Sequence, residues 1–258
     1  MNIIQKYRSD INSILLLLGI FLLARILFVI FMPPTFSKDL YFWLESIDIV
    51  NKGGEPDSSN GLLNWSLFWM PVLYGIRFIS KITSVSDTRL IQIVLVIGEA
   101  MVMLLSYWIL RRFLNQQRPV KVLIIALALN PISILLNCQH CNFDVFVAFW
   151  VLLFVGALLH FYETQSSESW LIACFFLGMG IFTKTVPVML SPILLVGIKK
   201  LNPVTVFFGF VLLFMPVIEG MSILISWAHT NIKTGLNYRS VPCWYGITGF
   251  LGLMNIKL

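Results

Sequence analysis

The chain has 258 residues, of which 58% are hydrophobic and only 12% are charged, with a mean hydropathy of +0.87. A soluble domain has about 25% charged residues, so this composition excludes an ordinary soluble protein. Several runs of about 20 apolar residues predict a polytopic membrane protein. The net charge of +6 then indicates basic loops at a membrane surface and gives no support for nucleic acid binding.

The N-terminal segment predicts a retained first membrane span. Residues 1–10 are polar and include Lys6 and Arg8, and the apolar run over residues 11–32 has no small-residue cleavage site after it. Arg25 lies inside this span. An arginine at that depth either extends to the headgroups or pairs with an acid or a phosphate inside the bundle.

The segment over residues 35–86 is predicted to be a long extracytoplasmic loop with an acidic bias. Apolar residues between 39 and 50 predict a short helix that lies along the membrane surface. The aromatic-rich stretch over residues 62–80 is either a second interfacial helix or a proline-bent span, and its tryptophans favour the interface. The acids of the loop are Asp39, Glu45, Asp48, Glu55 and Asp57.

The rest of the chain predicts further helices, so that the fold class is an all-α transmembrane bundle of about seven spans or half-spans in one domain, residues 1–258. Glu99 lies in the middle of the second span, where we expect it to be a partner for Arg25 or a structural hydrogen-bond acceptor and not a catalytic group. A Lys184-Thr-Val-Pro187 break separates two short apolar halves, and such breaks are tolerated where they line a cavity. The predicted spans and halves cover residues 90–110, 120–136, 143–161, 170–183, 188–198 and 204–227.

A polar cluster separates two of these spans. Polar and ionisable groups are costly at membrane depth and therefore suggest a site, although an interfacial turn that meets water is the simpler alternative. The cluster also contains a Cys-x-x-Cys pair, for which a local disulfide is favoured over zinc because no second ligand pair completes a zinc set. The polar residues are Asn137, Gln139, His140, Asn142 and Asp144, and the cysteines are Cys138 and Cys141.

The basic residues orient the predicted bundle. They fall on one side, which is the cytoplasmic side by the positive-inside rule. Asp39, the polar cluster, Lys184 and the tail from His229 onward then share the opposite face. Carboxylates there can accept a proton from a hydroxyl, and cations can hold phosphate oxygens. The basic residues of the first side are Lys6, Arg8, Arg111, Arg112, Arg118, Lys121, Lys199 and Lys200.

Four sequence features together resemble the GT-C class of integral-membrane glycosyltransferases, which use polyprenyl-phosphate sugar donors, and mannosyltransferase-like members in particular. They are an acid just after the first helix (Ser37-Lys-Asp-Leu-Tyr41), Asn130-Pro131 followed by Gln139-His-Cys-Asn-Phe-Asp144, the break Phe182-Thr-Lys-Thr-Val-Pro187, and Tyr238-Arg-Ser240 ahead of Trp244-Tyr-Gly246. The resemblance implies sugar transfer to a lipid or glycan acceptor on the extracytoplasmic face.

The resemblance also implies roles for individual residues. Asp39 would be the catalytic base or the carboxylate that orients the acceptor. Asp144, His140 and Gln139 would line the acceptor pocket. Many members carry paired acids in the first loop, whereas Lys38 precedes Asp39 here, so a divalent cation has no motif support and we expect no cofactor. Lys184 and Arg239 would bind the donor phosphate, and Tyr238 would be a further substrate-binding residue.

Two other classes stay open from the sequence. A transporter would account for Arg25, Glu99 and Glu219 inside apolar segments. A non-catalytic subunit or a fragment is the other alternative, because members of the class are usually longer. Membrane lipids are the expected surroundings. The short loops favour the cytoplasmic membrane of a bacterium with a cytoplasmic N-terminus, and a eukaryotic chain would lie in the ER membrane.

Overall fold

The structure is a computed structural model that describes residues 3–31, 38–51, 69–114, 117–184 and 186–216. Every regular element in these ranges is helical, as predicted. The α-helices are α1 (Ile3–Phe31), α2 (Lys38–Asn51), α3 (Trp69–Thr83), α4 (Asp87–Phe113), α5 (Gln117–Ala128), α6 (Pro131–Ile134), α7 (Asp144–Thr164), α8 (Ser167–Thr183) and α9 (Pro203–Pro216). A π-helical turn covers Leu135–Gln139, and 3-10 helices cover Val186–Leu195 and Ile198–Lys200.

Four helical segments of the described residues are long and apolar enough to cross a membrane, and one of them joins most of α5 to α6 and the π-helical turn. They are Asn12–Phe31, Asp87–Phe113, Pro119–Gln139 and Asp144–Thr164. Three shorter apolar helices follow, Ser167–Thr183, Val186–Leu195 and Pro203–Pro216. The prediction of an all-α polytopic bundle of spans and half-spans is confirmed, and the protein is an integral membrane protein.

The bundle has two chemically different ends. Arg112, near the end of α4, pairs with Glu163 at the end of α7, and Arg111 and Lys200 lie at this same end. We call this the basic end. Asp144 begins α7 and pairs with Lys184, which follows α8, so these residues mark the other end, which we call the site end. Helices α4 and α7 therefore run in the same direction, and α8 returns against α7.

A buried ion pair joins α1 to α4, as predicted for Arg25 and Glu99. The guanidinium of Arg25 is fully buried, and its Nη2 lies 2.6 Å from Glu99 Oε1. Ser133 completes the group, because its hydroxyl accepts from Arg25 Nη2 at 2.9 Å and donates to Glu99. Phe21 lies against the guanidinium, with its ring centroid 4.1 Å from Cζ. Burial of these charges is tolerated because each has a partner of opposite sign and further hydrogen bonds.

Arg25 also donates to a backbone carbonyl that has no helical partner at a break in the third span. Pro131 has no N–H to donate, and the N–H of Ile132 donates to the Asn130 side chain at 3.0 Å, so the helix stops at α5 and restarts at α6. The carbonyl of Ala128 thereby loses its helical partner. Arg25 Nη1 donates to this carbonyl and satisfies it. The break thus depends on a residue from α1, about a hundred positions earlier.

Helix α9 crosses α8 at very close range. A Cβ built at Gly178 would collide with the backbone carbonyl oxygen of Leu213, and one built at Gly209 would collide with the ring of Trp170. Glycine at both positions lets the two backbones approach, as small residues do in membrane helix packing. This contact fixes the short helix α9 against the α7–α8 pair.

One expectation for the polar cluster is wrong. Cys138 and Cys141 are both buried, and neither is in a disulfide. The reason lies in the local backbone: Cys138 belongs to the π-helical turn, whereas Cys141 follows it with a left-handed φ of 56°. The two thiols enter different hydrophobic clusters, Cys138 with Leu17 and Phe21 and Cys141 with Trp43 and Phe143.

Candidate functional site

The site end is built around an ion pair between Asp144 and Lys184. The Lys184 ammonium nitrogen lies 2.7 Å from Asp144 Oδ1 and 2.9 Å from Oδ2. Both side chains are partly exposed, at 45% for Asp144 and 40% for Lys184. Sequence analysis assigned both residues to substrate binding, and the structure brings them into direct contact.

Local backbone structure explains how the two side chains meet. Asp144 is the first residue of α7, where its negative charge is favoured by the helix dipole, and its N–H donates to Asn142 Oδ1 at 2.9 Å. Lys184 directly follows α8 in extended conformation, and its N–H donates to the Gly180 carbonyl at 2.9 Å. The break before Pro187 therefore turns Lys184 out of the helix at the level where α7 begins.

Gln139 and His140 lie at the end of the π-helical turn that precedes Asp144. The ring of His140 is exposed and Gln139 is partly exposed. A π-turn inside a helix is uncommon and occurs frequently at functional sites. Here it follows α6 directly, and Gln139 and His140 lie at its end, shortly before Asp144 in the chain.

A series of hydrogen bonds links this turn to the first turns of α4 and to the end of α1. The side-chain amide of Gln92, which is fully buried in α4, donates to the Cys138 carbonyl. Arg89 Nη1 donates to Gln92 Oε1 at 3.0 Å and also to the carbonyl of Val29, near the end of α1. Sequence analysis did not single out Arg89 or Gln92. Their signal was available, since both are polar residues in the first turns of an apolar span.

Helix α2 is held against the beginning of α7 by aromatic packing. The ring of Trp43 lies 5.1 Å from that of Trp69 and 5.8 Å from that of Phe143, the residue before Asp144. The rings of Trp69 and Phe143 stack at 5.4 Å. Trp43 and Leu40 are both buried. The predicted short helix over residues 39–50 is confirmed, and it begins at the site end of the bundle.

Asp39 is the second residue of α2, one helical turn before Trp43. Its side chain lies outside what the structure describes, as do Tyr238 and Arg239 entirely. The helix that carries Asp39 is thus placed beside the Asp144–Lys184 pair by Trp43 and Phe143, while the proposed role of each of these three residues stays a prediction.

A second ion group at this end was missed by sequence analysis. Arg77 of α3 donates to Asp87, the first residue of α4, and lies 3.4 Å from Asp48 of α2. Helix α3 has 15 residues, and its placement at the membrane interface stays a prediction. The sequence did contain a signal for this ion group. Arg77 is the single arginine in the aromatic-rich stretch over residues 62–80, and acids lie on both sides of it in the chain.

The thiol of Cys141 is buried at this site. Burial raises the pKa of Cys141 to about 12, so the thiolate is absent at neutral pH. Among the described residues, no group of three histidine, cysteine, aspartate or glutamate side chains is close enough to hold a metal ion. The described part of the site end contains carboxylate, ammonium and guanidinium groups together with the side chains of Gln139 and His140.

A comparison with known families defines the class of this protein as an integral membrane glycosyltransferase of the mannosyltransferase type, in line with the GT-C resemblance. The family model for dolichyl-phosphate-mannose-protein mannosyltransferases matches residues 70–219, more than half of the chain. The chain belongs to this family. No curated protein and no solved structure gave a significant match.

Proposed function

We propose that this protein transfers a hexose, of the mannose kind, from a polyprenyl-phosphate donor to a lipid or glycan acceptor. The observation that carries the proposal is the Asp144–Lys184 ion pair, which is partly exposed at the same end of the bundle as the start of α2. The basic end, with Arg111, Arg112 and Lys200, would face the cytoplasm. The site end would then face the extracytoplasmic side. The location that we propose is the cytoplasmic membrane of a bacterium.

Each charged group has a place in the proposed reaction. The acceptor hydroxyl oxygen attacks the anomeric carbon of the donor sugar, and the bond from that carbon to the phosphate oxygen breaks. Asp39 takes the hydroxyl proton as general base. Lys184, with Arg239 and Tyr238 from the tail, binds the donor phosphate and stabilises the negative charge that the departing polyprenyl phosphate gains.

Asp144 has a second task in this scheme. Before the donor arrives it neutralises Lys184, and on donor binding the ammonium is shared with the phosphate. Asp144 is then able to accept a hydrogen bond from an acceptor hydroxyl, together with His140 and Gln139 from the preceding turn. Partial exposure of both partners makes this exchange inexpensive, because neither charge is desolvated in the resting state.

The transporter alternative has lost part of its basis. It depended on Arg25, Glu99 and Glu219 as charges inside the membrane. Arg25 and Glu99 bind each other and Ser133 in a closed network, which is a structural role. Glu219 lies outside the described residues. No described observation favours transport over transfer.

The test is sugar transfer in membranes from a panel of radiolabelled polyprenyl-phosphate sugars. We expect Asp39→Asn to reduce transfer by about 100-fold or more, the usual contribution of a general base. Glu45→Gln, a neutralised acid in the same helix, is the matched control and should retain activity. Transfer by Asp39→Asn at the wild-type rate would overturn the assigned base, and no transfer from any donor by folded wild type would overturn the proposed function.

A further inference from the structure

An open cavity of about 510 Å³ lies between α4, α7 and α8. Its volume is within the about 300–1,000 Å³ of small-molecule sites. Most of its lining is hydrocarbon. Gly156 lies at its wall, where a Cβ would stand 3.1 Å from the ring of Trp108. The apolar lining residues are Leu105, Leu152, Leu153, Ala157, Ile172 and Phe176.

Polar side chains line only one end of this cavity. They are Arg112 from the last turn of α4, His160 from the last turns of α7 and Ser169 from the first turn of α8. All three therefore lie at the basic end, on three different helices. The cavity is therefore apolar over most of its lining and carries hydrogen-bond donors at the end near the membrane surface. These two parts match the tail and the headgroup of an amphiphilic molecule.

Contacts with neighbouring side chains hold the Arg112 guanidinium in place and leave some of its N–H groups available to a ligand. Its Nε donates to Glu163 Oε1 at 2.8 Å, and Nη2 donates to the other carboxylate oxygen. Its Cζ lies 5.5 Å from the centroid of the Trp108 ring. Three of the five N–H groups of the guanidinium make no hydrogen bond with another described residue. Glu163 is half-exposed, so a negative charge also borders the polar end.

This polar end cannot belong to the donor site. From Asp144 to His160, α7 rises about 24 Å at 1.5 Å per residue. A phosphate held by Lys184 is therefore nearly a membrane thickness away from Arg112. The polar end requires a different molecule, whose headgroup lies at the opposite membrane surface.

We propose that this cavity binds one bilayer phospholipid with an ethanolamine headgroup. One acyl chain lies in the apolar part. The phosphate accepts hydrogen bonds from Arg112, His160 and Ser169, and the ammonium donates to Glu163. Charge complementarity selects this occupant: the Arg112–Glu163 pair offers one cation and one anion, as the zwitterionic headgroup requires. A headgroup with only negative charge would leave Glu163 beside an anion, and a choline headgroup has no N–H to donate.

The experiment is native mass spectrometry of the whole protein after exchange into vesicles with equal parts of phosphatidylethanolamine, phosphatidylcholine and phosphatidylglycerol. We expect one phosphatidylethanolamine to be retained by wild type. Arg112→Gln should reduce its retention by about tenfold or more, since hydrogen bonds between charged groups contribute that much. Glu163→Gln should reduce the preference for ethanolamine over choline. Arg111→Gln, the adjacent arginine that does not line the cavity, is the matched control.

A second variant tests the apolar part without changing a charge. Ala157→Leu places a larger hydrocarbon in the cavity and should lower retention of the lipid while helix content and elution volume stay those of wild type. Equal retention in wild type, Arg112→Gln and Ala157→Leu would overturn the site. Preferential retention of phosphatidylglycerol, or displacement of the lipid by added polyprenyl phosphate, would overturn the ethanolamine assignment.

Discussion

Lys184 contacts both carboxylate oxygens of Asp144, at 2.7 and 2.9 Å, across forty positions of the chain. Because both side chains are about 40% exposed or more, solvent screens the pair, and it contributes at most about 1 kcal/mol to stability. The pair is therefore a source of accessible charge at the start of α7 and the end of α8, and its removal should affect chemistry more than folding.

We predict that Lys184→Met lowers sugar transfer by at least about tenfold, the expected loss of one charge-assisted contact to the donor phosphate, and raises the KM for the donor. The free energy of unfolding should change by less than about 1 kcal/mol. Lys81→Met, an exposed lysine in the last turn of α3, is the control. A Lys184→Met enzyme with unaltered kinetics would exclude Lys184 from the donor site.

The buried Arg25–Glu99 pair should behave in the opposite way. Arg25→Met leaves Glu99 as an uncompensated buried charge and the Ala128 carbonyl without a donor, so we expect a loss of about 3–5 kcal/mol. The measurement is the thermal unfolding of the purified protein. The double variant Arg25→Met, Glu99→Leu should lose less than Arg25→Met alone, because no isolated charge stays buried. A larger loss in the double variant would contradict this account.

Truncation of Trp43 should detach α2 from the bundle. Trp43 is buried against Trp69 and Phe143, and Trp43→Ala should cost about 3–5 kcal/mol in stability. Protease cleavage near α2 should accelerate, and transfer should fall because the helix that carries Asp39 is displaced. Tyr41→Ala is the control, since half of the Tyr41 side chain is exposed in the same helix. Equal protease resistance of both variants would show that the aromatic cluster does not anchor α2.

Two glycines provide a matched test of the α8–α9 crossing. Gly178→Ala should destabilise the protein by about 1–3 kcal/mol, because the new Cβ collides with the Leu213 carbonyl oxygen. Gly75→Ala should be neutral or stabilising by up to about 1 kcal/mol, since a Cβ there meets no atom within 4 Å and alanine favours the helix. Equal thermal stability of the two variants would mean that α9 does not pack against α8 as described.

Cys141 should resist alkylation in the folded protein. Burial raises the pKa of its thiol from 9.0 to about 12, so the folded protein keeps the proton at pH values where the unfolded chain releases it. Stability is therefore independent of this group below pH 9 and decreases between pH 9 and 12. In a variant with Cys138, Cys174 and Cys243 replaced by alanine, a maleimide should label Cys141 only after denaturation. Rapid labelling at pH 8 would refute its burial.

Apolar runs and helix-breaking residues were sufficient to predict most of the fold. Composition identified the spans, and the Lys184–Pro187 break marked the end of α8, since this break rests on local backbone chemistry. The interruption at Asn130-Pro131 was not predicted, because the span over residues 120–136 was interpreted as one helix. The Arg25–Glu99 pair was predictable because a buried charge needs an opposite one.

The contacts at the site end could not be predicted in the same way. Arg77 lies between Asp48 and Asp87 only because α3 folds back between α2 and α4, and periodicity within each segment carries no information on that packing. The disulfide expectation failed for the same reason: spacing alone does not show which cluster each side of the π-turn faces.

The length of α8 has a consequence for the membrane itself. Its 17 residues rise about 26 Å, and the ten-residue 3-10 helix beyond Lys184 rises about 20 Å at 2.0 Å per residue, against a hydrocarbon core of about 30 Å. Elements too short for the bilayer draw headgroups and water inward, which thins it locally. We expect a depression of the lipid surface above Lys184 and Asp144. There the phosphate of the proposed donor would lie at the level of this ion pair, below the headgroups of the surrounding bilayer, and the acceptor would have to reach the same level.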